Sequence, residues 1–126
     1  MNKVIASPHA PAAVGPYSQA IQANDTLYIS GQLPIDPSTG VALESIEEQT
    51  LQSLKNIEAI LTEAGYLKSD IVKCTVLLDN ITDFAAMNGV YGEFFAAPYP
   101  ARAAYEVAKL PLGVKVEIEA IAVKSK

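Results

Sequence analysis

Nine side chains are cationic at neutral pH, yet eight are lysines and only Arg102 is an arginine. It sits in a stretch, Ala96 to Tyr105, that carries no other charge. Arginine is favoured over lysine where a planar partner such as a carboxylate must be gripped by parallel hydrogen bonds in a partly dry place. An ion pair with a glutamate inside the fold is the equal alternative from residue type alone. The last apolar run, Val116 to Val123, adds two acids, Glu117 and Glu119, which alternation puts on one face with Ile121, as it puts Arg102 with Ala104 and Glu106. A strand this apolar makes a poor solvent edge, so its acidic face is expected to line a cleft or an interface, where one carboxylate could hold or deprotonate a water. Solvation, or a salt bridge to Lys115, is the plainer account of the same pair. Ser30-Gly31-Gln32 closes an alternating run with a glycine that either lets backbone approach a ligand or marks a simple bulge.

The other reactive residue types add little. Cys74 falls on the apolar face of a β-branched run with no basic neighbour that would activate it, the setting of an inert core thiol. His9, the only histidine, lies in a proline-flanked segment and has no spaced partner, so no metal is expected. No glycine-rich loop opens a helix and no serine–histidine spacing suggests a triad, which leaves nucleotide use and triad hydrolysis without support. A formal charge of −5, a pI near 4.7 and singly scattered cations disfavour a polyanionic partner such as nucleic acid. No run approaches the roughly 20 apolar residues of a bilayer span, so no membrane partner is expected. A lone cysteine and the lack of a signal-peptide core make the cytoplasm the expected compartment.

These residues need elements to hold them, and a chain of 126 residues supports one domain, 1–126, able to bury about two-thirds of its unfolded surface. Residues 7 to 16 carry three prolines and a glycine and should form an ordered or semi-ordered arm. Alternating runs near 17 to 23 and 26 to 32, with Asn24-Asp25 between them, predict a hairpin. A proline-rich loop follows from Leu33 to Gly40. Ser45 with Glu48 forms a capping-box signature, Leu51, Leu54, Ile57, Leu61 and Ala64 recur at helical spacing, and Gly65 supplies a stop, predicting a helix over about 45 to 64. Asp70 to Leu78 should be a buried strand with Val72, Cys74, Val76 and Leu78 on one face. Thr82 or Asp83 can cap a second helix with Phe84, Met87, Tyr91, Phe94 and Phe95 as its apolar stripe, weakened by Gly89 and Gly92. Two final runs, 102 to 107 and 115 to 123, look like an antiparallel pair. The order describes an α+β fold, a sheet with two helices packed on one face.

Several segments together are more specific than any one of them. Gly15-Pro16-Tyr17-Ser18-Gln19, Ser30-Gly31-Gln32 followed by Pro34, Asn88 with Tyr91, Pro100-Ala101-Arg102 and Val116-Glu117-Ile118-Glu119-Ala120-Ile121-Ala122 resemble the Rid family of enamine/imine deaminases, in order and nearly end to end. The resemblance implies a chorismate-mutase-like α+β fold with a mixed sheet, assembled as a homotrimer with ligand pockets at the subunit interfaces. The mean hydropathy of +0.20, with half the residues apolar, fits a chain that covers apolar surface by assembly.

By the same resemblance, Arg102 grips the carboxylate of a small 2-imino acid with help from the Ala104 backbone amide. Glu117 positions or activates the attacking water, and Tyr17, Ser30, Gly31 and Asn88 line the pocket. The products are a 2-oxo acid and ammonia, and no cofactor is required. Many members carry cysteine at the position of Ala104. A main-chain donor survives that change, although any role of the thiol is absent here. The Phe95 to Arg102 segment is also shorter than in some relatives. Two other functions stay open at this level: an endoribonuclease or translation inhibitor, an activity attributed to some members, and a non-catalytic regulator that binds a small carboxylate.

Overall fold

In the computed structural model, which describes residues 1–125, the two ends of the first helix are closed by the signals expected of them. The Ser45 hydroxyl accepts from the Glu48 N–H at 3.0 Å, and the Glu48 carboxylate accepts from the Ser45 N–H at 3.2 Å. Helix α1 (Ile46–Ala64) then runs to Gly65, whose φ of 77° turns its N–H back onto the Leu61 and Thr62 carbonyls. Its buried face holds Leu54, Ile57, Ile60 and Leu61, together with the polar Gln49, Thr50, Ser53 and Asn56. Leu51, expected on this stripe, is exposed, because the face that meets the sheet is centred on Thr50, Ser53 and Ile57 instead. Two of the polar residues fasten loops: Asn56 donates to the Leu33 and Ile35 carbonyls at 3.0 Å each, and Gln49 joins the Leu43 carbonyl to the Lys115 N–H.

Six strands, β1 (Lys3–Ile5), β2 (Ala20–Ala23), β3 (Thr26–Gln32), β4 (Ile71–Leu78), β5 (Ala101–Glu106) and β6 (Val116–Val123), form one sheet in the order β1-β2-β3-β6-β4-β5. Every neighbouring pair is antiparallel except β4 and β5. A parallel pair needs a crossover, and helix α2 (Phe84–Phe94) supplies it. The sheet is therefore mixed and the fold α+β, as expected. The expected pairing of the last two strands is not found. The segment between them, with its 3-10 turn at Pro111–Gly113, carries the chain past β4, so β6 enters the middle of the sheet while β5 stays at its edge.

Smaller departures have local causes. Strand β1 went unforeseen because it is three residues long and pairs only with β2. The register of β4 against β6 shifts between Ile71 and Lys73, which places Ile71 in the core and turns Val72 outward. Neither Thr82 nor Asp83 caps α2 through its side chain; the Asn80 carboxamide accepts from Thr82 N–H in the 3-10 turn just before it. The core lies between the helices and the sheet face formed by Val116, Ile118, Ala120 and Ala122 with Cys74, Val76 and Leu78, none of them more than 2 % exposed. On the opposite face Tyr28, Tyr105 and Val123 are exposed and Leu77, Glu117 and Ile121 half-buried.

Candidate active site

Strand register decides where the candidate residues point. Arg102 pairs with Cys74, so it shares the helix-side face of the sheet. Three residues on one stripe of α2, at i, i+4 and i+7, surround its head group. Asn88 Oδ1 accepts from Arg102 Nη1 at 2.7 Å, the Tyr91 ring centroid is 4.7 Å from the guanidinium carbon, and that of Phe84 is 5.5 Å away. The internal glutamate that was the alternative partner is replaced by a neutral amide. Arg102 is half-buried as a residue, and with the exposed Asn88 and with Tyr91, Gly92, Tyr99 and Pro100 it lines a hollow of about 430 Å³.

The backbone of β5 adds donors at the same place. Val107 N–H bonds to the Leu78 carbonyl at 2.9 Å. By alternation along the strand, the N–H groups of Ala103 and Tyr105 also face β4, whereas those of Arg102 and Ala104 face the open edge of the sheet. Ala104 thus has a free main-chain donor close to Arg102, and its methyl packs on the core.

Glu117 stands on the other face. It pairs with Leu77, which with Thr75 and Tyr105 lies opposite Cys74, Val76 and Arg102. Its carboxylate covers Gly31, where any side chain would collide with it. The register of β3 against β6 shifts between Ile29 and Gln32, so Gly31 serves both as bulge and as a point of close approach. Burial, and then the charge of Glu119, hold the Glu117 carboxyl above the ordinary glutamate value. Ser30 joins this group through its hydroxyl, which donates to the Ser18 carbonyl at 2.6 Å. Tyr17 follows Gly15, whose φ is 116°, and leaves its ring half exposed.

The proposed residues therefore do not share one place: Arg102, Asn88 and Ala104 lie on the helix side, Ser30, Gly31 and Glu117 on the other face, and Tyr17 on the arm before β2, so one chain does not bring them into a single pocket. Alternation assigned the faces of β5 and β6 correctly, failed at Val72 in β4, and could not say how β5 and β6 are registered through β4. Gln19 is a further residue the sequence did not single out beyond its motif. Its buried amide accepts from Ser7 N–H at 2.6 Å and donates to the carbonyls of Ser7, Ala10 and Pro11, fixing the arm that carries Tyr17. A buried glutamine beside a proline-rich segment was the available signal.

Cys74 is fully buried, and burial pushes its thiol up to about 11 in spite of Tyr91 and Arg102 nearby, so it stays protonated at neutral pH. His9 lies apart from both groups on the arm. Among the described residues no group of three or more His, Cys, Asp or Glu could hold a metal, and no helix is long and apolar enough to cross a membrane.

Comparison with known proteins supplies the wider frame. Residues 7–124 match the family described as Endoribonuclease L-PSP. A RutC family protein of Pyrococcus horikoshii is 53 % identical over 98 % of this chain and 99 % of its own length. The 2-iminobutanoate/2-iminopropanoate deaminase of Salmonella typhimurium is 48 % identical, again over 98 % and 99 %. The crystal structure of E. coli TdcF with bound serine superposes with a TM-score of 0.95 at 44 % identity, covering 98 % of this chain and 99 % of that one. With nearly the whole length matched in sequence and in fold, the chain belongs to the Endoribonuclease L-PSP family, the group that holds the Rid proteins its motifs resemble.

Proposed function

We propose that the protein hydrolyses small 2-imino acids to 2-oxo acids and ammonia, at sites completed between copies of the chain in a homotrimer. The observation that carries this is the Arg102 head group: it is oriented by neutral partners beside an open hollow, so its charge is left for an anionic ligand. A 2-imino acid supplies a carboxylate for Arg102 and the Ala104 N–H, and presents its C=N carbon to water. A carboxylate with the raised affinity for protons of Glu117 suits a general base. Water adds to the imine carbon as Glu117 takes its proton and passes it to the nitrogen; Glu117 then takes the proton of the adduct hydroxyl and gives it to the amine, so that the C–N bond breaks, ammonia leaves and the C=O of the 2-oxo acid forms. The imine carbon beside the carboxylate is already electrophilic, and positioning plus a base worth about 10²–10⁴-fold is enough acceleration over spontaneous decay.

Assembly answers the separation of these residues. The sheet face opposite the helices exposes Tyr28, Tyr105 and Val123 beside the half-buried Leu77 and Ile121, an apolar surface of the kind that a second copy covers. On this proposal Glu117, Gly31 and Tyr17 of one protomer close over Arg102 of the next. The deaminase name of the Salmonella relative supports the substrate class. The family description favours ribonuclease as a second function, against which stands the net charge of −5.

The test couples a threonine dehydratase to the purified protein and follows 2-oxobutanoate release. Acceleration over the uncatalysed decay is expected, and an unchanged rate rejects the proposal. Light scattering giving a monomer would reject the shared site, and salt-dependent cleavage of RNA without deamination would favour the ribonuclease.

A further inference from the structure

We propose that Tyr91 is the positioning residue for Arg102, its ring face holding the guanidinium in place for an anionic ligand while leaving the charge uncompensated. This rests on the carboxylate-gripping role given to Arg102 above and adds to it a residue that touches the arginine rather than the substrate.

A flexible guanidinium has to be oriented before it can bind a carboxylate with two parallel bonds, and the choice of orienting group matters. A glutamate would hold it firmly and neutralise it. Here the holders are an amide oxygen on Asn88 and two aromatic rings, with Tyr91 the nearer at 4.7 Å and Phe84 at 5.5 Å, both within the roughly 6 Å over which a ring attracts a cation. Asn88 fixes one nitrogen; the rings restrict the plane of the whole head group.

Tyr91 is itself held. It is 4 % exposed, its ring lies 4.8 Å from that of Phe95 at an angle of 56°, and Phe95 in turn meets Phe94 edge-on at 5.0 Å. The guanidinium thus ends a row of packed rings that cannot swing away without opening the core. The Tyr91 hydroxyl is aimed at the Cys74 thiol but makes no hydrogen bond of standard length. The ring, not the hydroxyl, is the part that meets the guanidinium. Phe84, Asn88 and Tyr91 fall at one helical spacing, so a single stripe of α2 builds the cradle.

The experiment measures binding of 2-oxobutanoate, a small 2-oxo carboxylate, by calorimetry, with melting temperature recorded for each variant. Tyr91→Phe should bind within about twofold of wild type, because the ring face is kept. Tyr91→Leu should weaken binding by about tenfold. Met87→Ala, which removes a fully buried side chain of the same helix that does not line the hollow, should lower the melting temperature yet leave the dissociation constant unchanged. If Tyr91→Leu does not fold, Phe84→Leu at a half-buried position makes the same test with about a threefold loss.

Wild-type affinity in both Tyr91→Leu and Phe84→Leu, equal weakening in Met87→Ala, or failure of Tyr91→Phe to retain binding each overturns the proposal. So does a wild-type protein that does not bind 2-oxobutanoate, since there is then no grip to position. A wild-type protein that binds it but leaves imine decay unaccelerated removes the deaminase function and leaves the role of Tyr91 standing.

Discussion

The two helices are built on opposite plans. Helix α1 has a capping box, a left-handed glycine stop and a long buried face, while α2 has no side-chain cap at its own N-terminus, ends in an extended Phe95, contains Gly89 and Gly92, and buries only Met87 and Tyr91. Local signals make α1 a helix wherever it is placed. Helix α2 depends on what it packs against, and it is the one that carries Phe84, Asn88 and Tyr91. In α1 the buried Gln49 and Asn56 hold loops; in α2 Asn88 and two aromatic rings hold a charge. On the proposed function, stability and chemistry fall to different helices, and the one that cradles Arg102 is the less self-sufficient.

That division can be broken by mutation. Arg102→Lys should reduce deamination by on the order of 10²-fold, because a point charge cannot reproduce the planar grip, with the melting temperature nearly unchanged. Steady-state kinetics beside thermal unfolding checks both halves, and wild-type turnover in the variant removes Arg102 from the mechanism. Leu54→Ala in α1 should do the reverse. It removes a side chain that is 0 % exposed, so about 2–5 kcal/mol of stability should be lost in urea unfolding while the folded protein keeps its turnover number.

The pH profile sharpens the contrast between the two sides of the sheet. Glu117 must be ionised to act as a base, and its pKa lies above the ordinary 4.5, so the acid limb of kcat/KM should fall at higher pH than for an ordinary glutamate. Burial is the larger cause and the Glu119 charge the second. Glu119→Gln removes the second only, which should move the limb part of the way toward lower pH; a shift toward higher pH would show that Glu119 acts in some other way. The smallest effect concerns α2 alone. Gly89 is exposed, and a methyl there meets nothing within 4 Å, so Gly89→Ala should add about 0.5–1 kcal/mol in urea unfolding without altering KM. A rise in KM would mean that looseness in this helix is used.

What could be read from the chain follows the same physics. Helix α1 was legible to within a residue because Ser45, Glu48 and Gly65 act through neighbours in sequence. The hairpin of β2 and β3 was legible for the same reason, with Asn24 taking a φ of 54° at its turn. The pairing of β5 and β6 was not, since their closeness in sequence suggests a hairpin and only the α2 crossover reveals that β4 comes between them. The displacement of Val72 was hidden because a bulge depends on the partner strand. Arg102 stood out by being the only arginine, and Gly31 by its place at a strand end. That Arg102 and Glu117 occupy opposite faces was beyond any periodicity, because alternation fixes parity within a strand and says nothing about offset between strands.

The position of β5 has one more consequence. An outermost strand with unused amides is where foreign chains add on and ribbons begin to grow. Here the approach to that border passes Pro98 and Pro100, which have no amide hydrogen to give, and Arg102 then sets a charge on it; Lys3 does likewise on the far border, in β1. A charge at that border discourages polymerisation whatever it binds, so replacing Arg102 with an apolar residue should shorten the shelf life of concentrated protein.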